Sequence, residues 1–271
     1  MKTAALTKAI LPIAMCVPLL VPAHAQITGN PDPDSLAAEL ESAPISTNAV
    51  ADPWEGFNRK MFAINNGLDG ALFVPAAKAY RAVTHKKQRK GIRNFLANLG
   101  TPITLANDIL QGEFGRAGKT ASRFVVNSTI GFGGMGDPAE RMGIDQHSED
   151  FGQTLAVWGV SSGPYLVLPF FGPSTLRDGF GRAVDMGTDP AIWIRTDAAA
   201  YFRYSTTGMT LLSAREPLIE SLADIEADSL DYYASIRSFY LQSRQREITN
   251  GRTSFDDLPD IGDFEEFDDL E

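Results

Sequence analysis

Apolar positions recur at helical spacing along most of the chain, interrupted by glycine and proline. From Trp54 to Leu68, Phe57, Met61, Ile64 and Leu68 follow at intervals of four, three and four, which predicts a helix with one apolar face. Lys86 to Leu99 gathers Ile92, Phe95, Leu96 and Leu99 on one side, opposite most of its basic residues. Pro102 suits the first turn of a separate helix through Leu110, with Ile103, Ala106, Ile109 and Leu110 as its apolar face. Arg116 to Ile130 reads as helix despite the β-branched Val125, Val126, Thr129 and Ile130. The most sustained periodicity runs from Pro217 to Ile248 through Leu218, Leu222, Ile225, Tyr232 or Tyr233, Ile236, Phe239 and Tyr240, and stops at Asn250-Gly251. A single helix of that length would be a strut of roughly 45 Å.

Between these helices, Phe151 to Leu176 carries no formal charge. Its length would suffice to cross a bilayer, but Gly159, Gly163, Pro164, Pro169, Gly172 and Pro173 break it into pieces too short to span as one helix. Two readings remain open. It is either a buried core loop or a segment lying in a lipid interface or lining a passage, where broken backbone is tolerated if protein or water covers its polar groups. Trp54, Trp158, Trp193, Tyr165, Phe170, Phe171, Tyr201 and Phe202 supply the amphipathic rings that membrane interfaces use, although a core would contain them too.

The ends differ from the middle. Lys2 and Lys8 precede an uncharged run from Ala9 to Pro22, and Ala23-His24-Ala25 before Gln26 has the small-x-small pattern of signal-peptidase cleavage. Ile13-Ala14-Met15-Cys16 only loosely resembles a lipobox, so residues 1–25 read as a cleavable signal peptide rather than an acylated one. A proline-containing acidic linker follows over 26–50, then a folded domain over 51–254. The acidic segment 255–271, with nine carboxylates, has too many like charges to fold alone. These ends account for the formal charge of −10, because 51–254 holds 21 acids against 22 bases. Cys16 is the only cysteine, which excludes an intramolecular disulfide framework. Within the domain, Lys78, Arg81, Lys86, Lys87, Arg89, Lys90 and Arg93 follow with no intervening acid. This run is either a phosphate-binding patch or a solvated face, and export argues against nucleic acid as its partner.

Enzyme signals are weak. Gly159-Val160-Ser161-Ser162-Gly163 matches the nucleophile-elbow pattern, but no histidine follows it and Pro164 spoils the helix the elbow requires. Gly131-Phe132-Gly133-Gly134-Met135-Gly136 matches the dinucleotide fingerprint, but Asp137-Pro138 interrupts where its helix should begin. Close backbone approach or a hinge explains these glycines more simply. Asp145, His147, Glu149 and Asp150 include metal-ligand types without a recognised spacing, so no metal and no cofactor are expected.

The stretch Asp52-Pro53-Trp54-Glu55-Gly56-Phe57-Asn58-Arg59-Lys60-Met61-Phe62 resembles the opening motif of the VacJ/MlaA family of outer-membrane phospholipid-transport proteins. Further landmarks in order are Arg93-Asn94-Phe95, Asn98-Leu99, Leu110-Gln111-Gly112, Arg123-Phe124, Asn127-Ser128-Thr129-Ile130-Gly131, Phe151-Gly152-Gln153-Thr154-Leu155, Trp158-Gly159-Val160, Gly163-Pro164-Tyr165 and Arg177-Asp178.

The resemblance implies a mainly α, ring-like single domain of amphipathic helices with glycine- and proline-broken segments, embedded in one leaflet at the periplasmic side of the outer membrane. It implies no enzyme. Mislocalised phospholipids would leave the outer leaflet through an amphipathic passage and reach a periplasmic lipid carrier, with a porin trimer as membrane partner. Gly131, Phe132, Gly133, Gly134, Trp158, Gly163, Pro164, Tyr165, Phe170, Phe171 and Arg177 are the expected passage or hinge residues. Lys86, Lys87, Arg89 and Lys90 are expected to meet headgroups. Asp52, Pro53, Phe57, Asn58 and Arg59 belong to the structural motif, in which Asn58 and Phe57 would brace the first helix. The rival is an exported soluble scaffold that binds lipid or protein without a conduit.

Overall fold

The computed structural model describes residues 52–188, 194 and 196–251. The expected signal peptide, Cys16, the linker, Trp193 and the acidic tail lie outside the described residues. The fold is mainly α. Helix α1 (Glu55–Leu68) runs through a π-helical turn (Asp69–Phe73) into α2 (Val74–Val83). Pro75, which has no N–H to donate, sits just beyond that turn. Helices α3 (Lys86–Leu110) and α4 (Phe114–Thr129) pack along each other, joined at Gly112 with φ of 78°. The short α5 (Pro138–Arg141) and α6 (Phe151–Val157) lead to a two-stranded antiparallel hairpin, β1 (Tyr165–Leu168) and β2 (Gly172–Thr175). Then follow α7 (Leu176–Thr188), α8 (Asp197–Arg215), a 3₁₀ turn (Glu216–Leu218), α9 (Ile219–Asp228) and α10 (Tyr232–Ile248).

Two expectations about helix boundaries are corrected. Residues 86–110 form one helix with Pro102 inside it, because a proline removes a single N–H and the neighbouring α4 supports the flanking turns. The C-terminal strut is two helices. Ser229 is extended, and Asp231 restarts the chain as an N-cap by accepting from the Ala234 N–H at 3.2 Å.

The larger difference concerns which helix faces point inward. On α1 the buried positions are Asn58, Phe62 and Asn65, while Phe57 is 49% and Ile64 51% exposed. The same inversion occurs on α3, which buries Asn98, Thr104, Asn107 and Asp108 and exposes Leu99, Ile109 and Leu110. Helix α4 buries Thr120, Arg123 and Asn127 and exposes Phe114, Phe124 and Val125. Among the described residues, 22 polar or charged side chains are buried against 12 hydrophobic ones, and 26 large hydrophobic side chains are exposed. The exposed apolar side chains would be unfavourable in water, whereas most of the buried polar ones keep hydrogen-bond partners. No described helix is long and apolar enough to cross a membrane.

The apolar cluster found among the described residues is small. Phe62, Tyr165, Val167, Tyr233, Ile236 and Tyr240 gather where α1, β1 and α10 meet. Asparagine side chains complete the open edge of β1. Asn58 donates to the Tyr165 carbonyl at 3.1 Å and accepts from the Val167 N–H at 2.8 Å. Asn65 likewise donates to the Leu168 carbonyl at 2.9 Å and accepts from the Phe170 N–H at 2.8 Å. Helix α1 therefore substitutes for a third strand, satisfying backbone groups that burial would otherwise orphan.

Candidate functional site: a polar cleft between two helices

The inward stripes of α3 and α4 face each other across a narrow polar cleft open to solvent. Asn94, Asn98, Thr101 and Thr104 recur at intervals of four, three and three on α3, and Thr120, Arg123 and Asn127 supply the α4 wall. Asp137, Gln146, His147 and Ser148 border it from the segment after α4. Arg123 Nη2 lies 2.6 Å from Asp137 Oδ2, and Asn127 Nδ2 donates to Asp137 Oδ1 at 3.0 Å. Burial opposes ionisation of Asp137, but the Glu140 backbone N–H, Arg123 and Asn127 outweigh it and hold the carboxyl below its usual range.

Behind this lining, Asp108 accepts from Thr120 Oγ1 at 2.6 Å and lies 3.0 Å from His147 Nε2. Candidate ligand atoms of Asp108, His147 and Glu149 lie within 4.8 Å of one another. Arg116 already supplies positive charge there, with Nη2 2.5 Å from Glu149 Oε1.

One end of the cleft is shaped by the turn after α4. Gly133 and Gly134 adopt φ of 70° and 95°, and Phe132 adopts 53°. A Cβ on Gly134 would approach Asn98 Cβ to 2.5 Å, so the close passage of this turn over α3 requires glycine. Asn98 Nδ2 donates to Ser128 Oγ at 2.9 Å, which ties α3 to the end of α4.

A second, narrow pocket is walled by Asp178, Arg182 and Asp185 of α7, by Tyr240, Arg244 and Glu247 of α10, and by Asp150, which caps α6. Arg244 lies 2.6 Å from Asp150 Oδ2, 3.1 Å from Asp178 Oδ1 and 2.9 Å from Glu247 Oε2. Burial pushes Asp185 up to about 6 and Glu247 up to about 7. Burial also opposes ionisation of Asp150, but the charge and hydrogen bonds of Arg244 hold it at about 2. Arg215 grips Asp69 with two nitrogens at 2.9 and 2.8 Å, pinning the π-helical turn to α8.

The expected site residues divide. The segment Gly131 to Gly134 abuts the cleft through Asn98, whereas the residues named from the hairpin region do not line it. Tyr165 is 0% exposed and belongs to the apolar core, which corrects its placement on a passage wall. Arg177 is also interior, donating to Asp178 at 3.0 Å and to the Val160 carbonyl at 3.3 Å. Trp158 and Phe170 are exposed, and Trp158 Nε1 donates to the Leu110 carbonyl at 3.0 Å. Phe171 is half-buried beneath the Arg182 guanidinium. Gly163 packs closely on Leu176, and the Pro164 carbonyl accepts from the Leu176 N–H at 3.2 Å.

The basic run divides as well. Arg89 is buried, donating to the Thr84 carbonyl at 2.5 Å and lying 3.3 Å from Glu216, so it serves the fold and cannot meet a headgroup. Arg81 engages Glu216 and Glu220. Lys90 pairs with Glu140 at 3.2 Å, and Lys86 and Lys87 are exposed.

Of the opening motif, Asp52 accepts from Asn58 at 2.7 Å and from the Tyr233 hydroxyl. Arg59 forks onto Asp231 at 3.0 and 2.6 Å. Pro53 is exposed, and Phe57 is half-exposed, so the bracing of α1 comes from Asn58, together with Asn65 further along the helix.

The cleft lining was missed in the sequence because Asn98, Arg123 and Asn127 registered only as family landmarks. The signal was present as polar residues at helical spacing on α3 and α4.

A mainly helical body with amides and ion pairs inside, large apolar side chains outside and a polar cleft between two helices fits a class of membrane-associated helical proteins. The chain belongs to the family described as MlaA lipoprotein, which it matches over residues 50–247. It is similar to the intermembrane phospholipid transport system lipoprotein MlaA of Escherichia coli K12, with 34% identity over 225 residues, 78% of this chain and 88% of that protein. The Haemophilus influenzae protein of the same description is 31% identical over 216 residues, 77% of this chain and 84% of its own length. A solved chain from work described as "Structural basis for maintenance of bacterial outer membrane lipid asymmetry" superposes with a TM-score of 0.64 at 32% identity. That likeness covers 73% of this chain and 99% of the solved one.

Proposed function

We propose that this protein is a non-enzymatic phospholipid conduit, seated in the periplasmic leaflet of the outer membrane. It removes mislocalised phospholipids from the outer leaflet and releases them to a periplasmic carrier, with a porin trimer as its membrane partner. The observation that carries this reading is the inversion of α1, α3 and α4, whose apolar positions turn outward, while the polar faces of α3 and α4 line an interior cleft. Acyl chains lose nothing by remaining against such an exterior, whereas a charged head cannot cross hydrocarbon unaccompanied.

The cleft supplies amide and hydroxyl partners for the head, so no bond is made or broken during transport. Gly131, Gly133 and Gly134 form the hinge at its end, with exposed Phe132 beside the lipid. Trp158 and Phe170 contribute to the apolar exterior, and Lys86 and Lys87 receive phosphate at the edge. Net direction follows from differential affinity at the two ends of the route.

The test is transfer of acyl-labelled phospholipid between donor and acceptor membranes by the reconstituted protein. Thr101→Trp, which fills the cleft, should abolish transfer while circular dichroism remains unchanged. Undiminished transfer by the folded variant would exclude the cleft as the route.

A further inference from the structure

The charge of the cleft extends the transport reading, and the inference rests on that reading. Three of its lining residues are ionisable, namely Arg123, Asp137 and His147. Arg123 is committed to Asp137 at 2.6 Å, and it also donates to the Ile144 carbonyl. His147 faces Asp108, which lies directly behind the lining at 3.0 Å. The remaining lining is amide, hydroxyl or aliphatic, with Asn94 and Asn98 on α3 and Gln146 and Ser148 opposite. The exposed Lys86 and Lys87 are not part of it.

We propose that the cleft favours phospholipids whose headgroups carry no net charge, of the phosphoethanolamine type, over singly anionic ones. Amides and hydroxyls offer both donors and acceptors, so a phosphate and an ammonium are each satisfied there. A zwitterion enters as its own counter-charge. An anionic head arrives with one excess negative charge, and the cation nearest to hand is already held by a carboxylate. Releasing Arg123 to meet that head would leave Asp137 unpaired in a largely buried setting. The lysines outside can collect either class of lipid at the membrane edge, but they do not alter discrimination within the cleft.

The experiment compares phosphatidylethanolamine and phosphatidylglycerol, each carrying the same acyl label, in transfer by the reconstituted full chain from phosphatidylcholine vesicles. Transfer of the ethanolamine lipid should be faster by roughly five- to tenfold, the effect of one uncompensated charge at a partly wet site. Gln146→Lys places a cation on the lining and should bring the ratio toward one, with Asn94→Lys as a second variant on the opposite wall. Equal rates or faster glycerol-lipid transfer by the unaltered protein would overturn the proposal, as would a ratio unmoved in both folded lysine variants. Transfer of neither lipid would instead remove the conduit reading on which the proposal stands.

Discussion

If polar groups hold the interior of α1 and its apolar groups face lipid, truncating an asparagine should cost more stability than truncating a phenylalanine on the same helix. Asn65 makes two hydrogen bonds to the hairpin backbone, at 2.9 Å to Leu168 and 2.8 Å to Phe170. Asn65→Ala leaves that carbonyl and that N–H without partners in a part-buried setting. At about 1–3 kcal/mol for each orphaned group, the loss is about 2–6 kcal/mol, less whatever water recovers. Phe57→Ala would cost about 3–5 kcal/mol in an ordinary core. With Phe57 half-exposed, the change should instead stay within about 0.5 kcal/mol for the detergent-solubilised protein.

The assay is denaturant unfolding in mild detergent, followed by circular dichroism, with amide exchange at Phe170 as the local reporter. Asn65→Ala should lower the midpoint and accelerate exchange at Phe170. Equal destabilisation by Phe57→Ala, or unchanged Phe170 protection in Asn65→Ala, would refute the inverted packing of α1.

Three further outcomes follow from other parts of the fold. Because Asp185 and Glu247 titrate at about 6 and about 7 in the folded protein but near 4 when unfolded, the native state binds extra protons between those values. Their contribution therefore increases as pH falls from about 8 to about 4.5. Further acidification removes the contributions of Asp150 and Asp178, both held below the usual range, and a pH series of unfolding midpoints should peak in mildly acidic solution. Gly134→Leu should reduce lipid transfer, because its Cβ meets Asn98 at 2.5 Å in a left-handed turn, whereas Gly133→Ala has open space and only backbone strain; transfer rates and melting curves of both variants check this. Lys86→Gln with Lys87→Gln should weaken binding to anionic vesicles and flatten its salt dependence, measured by vesicle sedimentation, while leaving stability unaltered.

The helices were legible because their period is written in side chains, but periodicity does not state which side faces inward. Phe57, Met61, Ile64 and Leu68 mark a face whether its neighbour is a core or a lipid tail. Only the positions of Asn58 and Asn65 against the hairpin resolve that ambiguity. Pro102 misled because a proline near the middle of a long helix resembles one at the start. Arg89 and Tyr165 misled for a different reason: their partners, Glu216 and the aromatic cluster of α10, lie more than sixty positions away, and no local pattern reports them. Of the glycines of 131–136, Gly131 and Gly134 lie where a Cβ would meet neighbouring atoms at under 3 Å, a close approach that depends on the path of the turn over α3.

The most direct measurement of the central claim uses nitroxide labels on the membrane-reconstituted protein, placed singly at Ile64, Val125 and Phe180 on the exterior and at Thr101 and Gln146 in the cleft. Relaxation by oxygen, which concentrates in hydrocarbon, should dominate at the three exterior positions, and relaxation by a water-soluble nickel chelate should dominate in the cleft. Chelate-dominated relaxation at Ile64, Val125 and Phe180 would place those faces in water and contradict the account.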